Sequence, residues 1–221
     1  MCECIVQSAD ASAALAFFAA PLLDARDQAD AAADLLPGPA RTREHLVKPK
    51  MRVRAVLLRN GQPTCVDVRW GWTPDWSMGG LPLTHLSLEQ VLRSRQYARL
   101  RDQGRALIPV EGWYEASSAM LAGTRPRLAY ITARHAGPLF LAALAQVGSE
   151  PNGCDGLALM TCADEAGQQR LLILEGEPAK AWLAADLDWC QARQQLLPHA
   201  LGSDRLEQLF SAKRGFMPLA R

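Results

Sequence analysis

MRVRAVLLRNGQPTCVDVRW, residues Met51–Trp70, decides the fold class. Arg52, Val53, Arg54 and Ala55 alternate polar with apolar, and the run turns apolar at Val56-Leu57-Leu58, so Met51–Arg59 predicts a strand. Asn60-Gly61 is the dipeptide that closes a two-residue hairpin, because both central positions of that turn need positive φ. Thr64–Trp70 then returns as the second strand. An antiparallel hairpin is therefore expected at the centre of the first half.

Working outward, Gly71–Pro82 is a loop rich in Trp, Pro and Gly, and Leu86–Arg101 has helical composition. Short apolar runs predict strands at Ala106–Pro109, Arg127–Thr132, Leu139–Val147 and Gly156–Thr161, with a further run at Leu171–Leu174. Residues 10–36 read as a helix with Asp10 as cap, ended by Pro37-Gly38-Pro39. Helices begin again at Pro178–Leu183 and Leu187–Gln195. Strands and helices interleave without a βαβ rhythm, which argues for an α+β fold rather than a parallel doubly wound sheet. With 221 residues, no repeat and no low-complexity linker, the chain suits one large domain or two small ones.

Composition narrows the function classes. Apolar residues make up 49% and charged residues 21%, an ordinary globular balance, and the formal net charge is +1. A nucleic-acid partner would need a local basic patch. One exists in Arg41, Arg43, Lys48, Lys50, Arg52 and Arg54, which reads either as a solvated strand face or as a groove lining. The six cysteines (Cys2, Cys4, Cys65, Cys154, Cys162 and Cys190) are irregularly spaced and form no CxxC pair. No disulfide framework, metal or cofactor is expected. Ala11–Leu23 is apolar but too short to span a bilayer, and no signal peptide is visible. A reduced cytoplasm, no membrane and a monomer are the expectations.

Met1-Cys2 carries distinctive chemistry. Removal of Met1 would leave Cys2 with a free amine beside its thiol. A 1,2-aminothiol condenses with an aldehyde to an imine and closes to a thiazolidine. Glu3 next to it would raise the thiol pKa by its negative charge. Cys4 reads as a packed strand residue or a resolving thiol.

Three segments fall in order: Met1-Cys2, then Trp70-Gly71-Trp72-Thr73-Pro74-Asp75-Trp76, then Pro109-Val110-Glu111-Gly112-Trp113-Tyr114-Glu115. The order resembles the SRAP family, SOS response-associated peptidases understood as abasic-site processing proteins. Members read M-C-G-R, W-G-x-x-P-x-W, N-A-R-x-E, P-x-x-G-[WF]-Y-E and a late H-x-R-M-P. The likeness runs from Cys2 to about Leu183. It implies a single domain over 1–221 with a mixed, mostly antiparallel curved sheet or barrel core flanked by helices. It also implies single-stranded DNA with abasic sites as partner, a covalent thiazolidine adduct on Cys2, self-processing or aminopeptidase removal of Met1, and a nucleoid-associated state when bound.

Carried over by position, Cys2 matches the nucleophile, Glu115 the glutamate after Trp-Tyr, and Glu89 the glutamate of N-A-R-x-E. His85 stands where the family has asparagine, and Ser87 where it has arginine. Glu3-Cys4 replaces Gly-Arg, and the late histidine falls on Gly167. The resemblance thus implies Cys2, Glu115 and His85 as catalytic residues, His85 substituting for the asparagine. It implies DNA contacts from Arg43, Lys48, Arg52, Trp70, Trp76 and Glu89. A catalytically degenerate relative that binds DNA or protein without bonding is the alternative. A general cysteine peptidase would need a Cys–His signature that the sequence does not display.

Overall fold

The computed structural model describes residues 2–8, 12–19, 44–77, 79–116, 128–134, 137–148, 155–164, 166–184, 189 and 205–210. The expected hairpin is there. Strands β3 (Arg52–Arg59) and β4 (Gln62–Arg69) pair antiparallel with Arg59 opposite Gln62, so Asn60 and Gly61 are the whole turn. Their φ values are 52° and 76°.

The hairpin is the edge of a larger sheet. Strands β6 (Arg105–Val110), β9 (Leu139–Gln146), β10 (Gly156–Ala163) and β11 (Gln169–Leu171) extend it in the order β11-β10-β9-β6-β3-β4. Two short strands lie off this path. β12 (Ile173–Leu174) pairs with β9, and β5 (His85–Ser87) runs parallel to β10, the one parallel ladder among these named strands. A second, antiparallel sheet has the order β13-β8-β7-β1-β2, built from β1 (Cys2–Ser8), β2 (Glu44–Val47), β7 (Gly112–Ala116), β8 (Leu128–Ala133) and β13 (Leu206–Phe210). The expected mixed, mostly antiparallel α+β architecture is observed, with its core organised as two sheets.

Side-chain parity explains why β9 is apolar throughout. Leu139, Leu141, Ala143 and Ala145 pack with Ile5, Trp70 and Trp113 in the core between the sheets. Phe140, Ala142 and Leu144 point the other way, into a core shared with the helices. A strand covered on both faces has no solvent side to mark with polar residues. The helices of that outer layer are α1 (Ser12–Ala19), α2 (Leu88–Arg93), α3 (Ala98–Gln103) and α4 (Gly176–Leu183). Trp182 of α4 anchors the layer by donating its indole N–H to Ala106 O at 3.0 Å.

Gln7 ties the two sheets together. It is 4% exposed, donates from Nε2 to Arg54 O at 2.9 Å and Pro109 O at 2.8 Å, and accepts from Arg54 N at 3.0 Å. A buried amide is tolerable because its bonds are made. It holds β1, the strand that starts at Cys2, against β3 and β6.

Several expectations need correction. Leu86–Arg101 is not one helix. Leu86 belongs to β5, Ser87 caps α2 by accepting from Gln90 N at 3.1 Å, and Ser94 ends α2 and caps a 3₁₀ turn at Arg95–Tyr97 before α3. Two serines that satisfy free N–H groups interrupt the helical composition. Leu171–Leu174 is also divided. Between β11 and β12, Leu172 donates its N–H to Met160 O and accepts from Ala142 N, both at 2.9 Å, so the run crosses from β10 to β9. Of the helix read over 10–36, Ser12–Ala19 is observed, and residues 20–43 lie outside the described residues. Of Leu187–Gln195, only Trp189 is described.

Candidate active site

Cys2 opens β1, and its Cα partner on β7 is Glu115. The register shifts between Cys2 and Cys4, a bulge of the kind that re-aims a strand end. Cys2 is 4% exposed and packs in the intersheet core with Trp70 and Trp113. Its thiol donates to Cys4 O at 3.6 Å. Burial, followed by the charges of Glu115 and Cys4, pushes the thiol well above the ordinary range; the amino terminus and the Cys4 backbone bond pull it back only partly. The thiol is therefore held protonated near neutral pH. Glu115 is half-buried, and its Oε1 accepts from the indole N–H of Trp113 at 2.9 Å. Trp113 and Glu115 lie two residues apart on β7 and so share its inner face.

Glu3 acts elsewhere than expected. It is exposed, and its charge raises the thiol of Cys4, after burial and against the lowering effect of Lys48. The carboxylate that bears on Cys2 is Glu115. Cys4 is 7% exposed, as a packed strand residue should be.

His85 comes from the other sheet. The parallel ladder sets His85 against Leu159 and Ser87 against Thr161. The ring Nδ1 lies 3.0 Å from Thr84 Oγ1, and the Thr84 carbonyl accepts the Trp70 indole N–H at 3.0 Å. Trp70 meets the imidazole edge-on, with centroids 6.0 Å apart. Nε2 is buried and has no hydrogen-bond partner among the described residues. Burial lowers the His85 pKa from 6.5 to about 4, with the positive charge of the amino terminus acting in the same sense. The imidazole is thus neutral at pH 7. That electrostatic reach also links it to the start of the chain, where Cys2 and Glu115 stand. An unmet polar atom costs about 1–3 kcal/mol when buried, so Nε2 marks a place for a ligand atom or water.

Gly167, the position matched to the late histidine, lies in the β10–β11 turn with φ 76° and has no side chain to offer. Ser87 spends its hydroxyl as the α2 cap. Glu89 is half-buried in the first turn of α2, and its charge raises the thiol of Cys162, which packs toward the helical layer. It stands on the side of the sheet away from Cys2, and its Oε2 is buried without a partner among the described residues.

The profile of the SOS response associated peptidase (SRAP) family matches residues 1–209, nearly the whole chain. The chain belongs to the SRAP family. It is 26% identical over 157 residues to the abasic site processing protein YedK of Escherichia coli (strain K12), covering 67% of this chain and 68% of that protein. Among solved structures it resembles a phage-related protein of Bordetella bronchiseptica (TM-score 0.71, 20% identity, 96% of this chain and 95% of that one). A protein of Bacteroides thetaiotaomicron is also similar (TM-score 0.64, 13% identity, 95% and 91%). These structural likenesses concern the fold.

With the SRAP motifs mapped, the DNA contacts implied by resemblance separate into groups. Trp70 is fully buried with its indole bonded inside, so direct base stacking by its ring is corrected to a core role supporting His85. Trp76 is 44% exposed and meets Trp72 and Tyr97 edge-on at 5.4 and 5.9 Å, leaving part of its ring free. Lys48 and Arg52 are exposed; Arg52 donates to Asp67 O at 2.9 Å. Lys48 lies close enough to Cys4 to affect its thiol, which brings positive charge to the Cys2 end. Glu89 lies in the first turn of α2, beside Cys162 and the helical layer. Arg43 lies outside the described residues. Among the described residues no group of three His, Cys, Asp or Glu side chains is arranged to hold a metal, and no helix is long and apolar enough to cross a membrane.

Thr161, which with Cys162 and Ala163 resembles the family's strand-end T-T-x-A, has its hydroxyl buried against two acceptors. It is 4% exposed, and its hydroxyl lies 2.9 Å from Gln169 Oε1 and 3.4 Å from Leu86 O. No spacing rule connects Gln169 to Thr161. The β10–β11 pairing does.

Proposed function

We propose that this chain processes abasic sites in single-stranded DNA by bonding the ring-opened sugar aldehyde to Cys2 after Met1 is removed, by self-processing or by an aminopeptidase. The observation that carries this reading is the cross-strand register of Cys2 with Glu115. A carboxylate opposite the first residue can hold its ammonium group and accept or return its proton.

The chemistry balances with the groups at hand. The Cys2 amine adds to the aldehyde carbon, and the carbonyl oxygen leaves as water with two protons, giving an imine. The thiol sulfur then bonds to the same carbon, and its proton ends on the nitrogen. Because the thiol is held protonated, the amine reacts first. The cationic iminium then favours thiolate formation beside it. Proximity supplies much of the acceleration once the sugar is held. His85 Nε2, neutral and otherwise unpaired among the described residues, hydrogen-bonds a sugar oxygen. Exposed Lys48 and Arg52 meet phosphates, and Trp76 offers a base a stacking edge.

The name of YedK supports the substrate class. The test is incubation with single-stranded DNA carrying an abasic site, followed by denaturing electrophoresis. A retarded band that Cys2→Ala abolishes is expected. No band from protein whose Met1 is confirmed absent would refute the reading. Deep burial of the Cys2 thiol favours the alternative, a relative that binds without bonding. Retention of Met1 in the intact mass would support that alternative.

A further inference from the structure

We infer that Gln169 is a neutral hydrogen-bond donor of the reacting site, presenting its carboxamide beside Thr161 to a sugar oxygen of the bound strand. The inference rests on the abasic-site reading above and names a residue which that reading does not use.

Register carries it. In the β10–β11 pair Ala163 faces Gln169 and Thr161 faces Leu171. In the β5–β10 pair Thr161 faces Ser87 and Leu159 faces His85. Directly paired residues share a face, and so do residues two apart on a strand. His85, Thr161 and Gln169 therefore lie on one face of the sheet. Leu159 and Leu171 of that face pack in the core that contains Cys2, so it is the face turned toward the nucleophile.

The hydrogen bond orients the amide. The Thr161 hydroxyl has one proton and two acceptors in reach, Gln169 Oε1 at 2.9 Å and Leu86 O at 3.4 Å. The shorter bond takes the proton, which commits Oε1 as acceptor and turns the NH₂ group away from Thr161. Among the described residues nothing accepts from that NH₂. Gln169 is itself exposed, so its donor is open to a ligand, whereas His85 Nε2, beyond Thr161 on the same face, is buried and has no partner among the described residues. A buried nitrogen without a partner and an exposed amide donor on one face, with Thr161 between them, suit a substrate that carries more than one oxygen, as a ring-opened deoxyribose does. Gly167, without a side chain in its turn, cannot take this part.

The test has a covalent and a non-covalent arm. Gln169→Glu keeps the shape, removes the donor and adds a charge; it is expected to slow adduct formation about tenfold, the loss of one hydrogen bond, while its thermal unfolding stays unchanged. Gln169→His should restore a donor and introduce a rate dependence on pH near 6.5 that the native chain lacks. Adduct formation by Gln169→Glu at the native rate would overturn the inference. In the second arm, the Gln169 side-chain amide resonance, assigned by its loss in Gln169→Glu, is followed on adding a borohydride-reduced abasic strand, which cannot bond covalently. A shift absent with an undamaged strand of the same sequence is expected, and no shift would overturn the inference. A shift without any adduct in the native chain would defeat the covalent reading yet support the role of Gln169.

Discussion

His85 shows how a buried side chain converts pH into stability. Its pKa falls from 6.5 in the unfolded chain to about 4 in the fold. A depressed value means the folded chain resists protonation. The corresponding stability is present above pH 6.5 and is lost as pH falls through 4. The shift corresponds to about 3 kcal/mol. Chemical denaturation at stepped pH should show that loss between about pH 6.5 and 4, and His85→Gln should flatten it. A pH-independent midpoint in the native chain over that range would contradict the buried, neutral ring. The Cys2 thiol works in the opposite sense. Its raised value keeps it protonated as pH rises through the ordinary thiol range, so alkylation by iodoacetamide near pH 8 should be slower than that of an unfolded-chain cysteine. Cys2 and Glu115 were legible in the sequence because motif spacing carries them. The bonds of Gln7 and the Thr161–Gln169 contact were not, because each is made across a sheet, and such pairings leave no local spacing to read.

At the scale of elements, the strand that delivers Glu115 depends on Gly112. A Cβ there would meet Ile131 O at 2.5 Å and the Tyr130 hydroxyl at 2.5 Å. Gly112→Ala must therefore push β7 off β8 or displace the tyrosine. An expected destabilisation of about 1–3 kcal/mol follows from such overpacking, with a larger fractional loss of adduct formation because Glu115 shifts relative to Cys2. Denaturant midpoints and adduct rates measured on the same preparation check this; unchanged values for both would contradict the close approach. The β3–β4 hairpin was readable because alternation and Asn60-Gly61 agree. Leu86–Arg101 misled because helical composition does not reveal that Ser87 and Ser94 cap two short segments. Strands Glu44–Val47 and Leu206–Phe210 went unread, being short and mixed, and becoming strands only because β1 and β8 offer them edges.

For the whole molecule, the near-zero net charge makes any strand binding a matter of local placement. Lys48 acts on Cys4, near the start of β1, and Arg52 is exposed on β3, while the total charge is +1. The double variant Lys48→Ala, Arg52→Ala should weaken binding to all single strands alike. It should also reduce the slope of log affinity against log salt by about 0.7 for each phosphate that is no longer neutralised. An unchanged slope, measured by fluorescence anisotropy, would place the strand elsewhere. Strand pattern alone gave α+β, and the mostly antiparallel core flanked by helices came from the family resemblance; the division into two sheets was not legible. Parity shows in sequence where one face meets water, and the central strands here have none.

The proposed activity turns on a covalent bond from Cys2 to the lesion. Intact-mass measurement of the protein after incubation with an abasic single strand tests it directly. A species with the mass of Met1-free protein plus strand minus one water is expected, absent with Cys2→Ala and with an undamaged strand. Met1-free native protein that stays at its own mass at high strand concentration would contradict it.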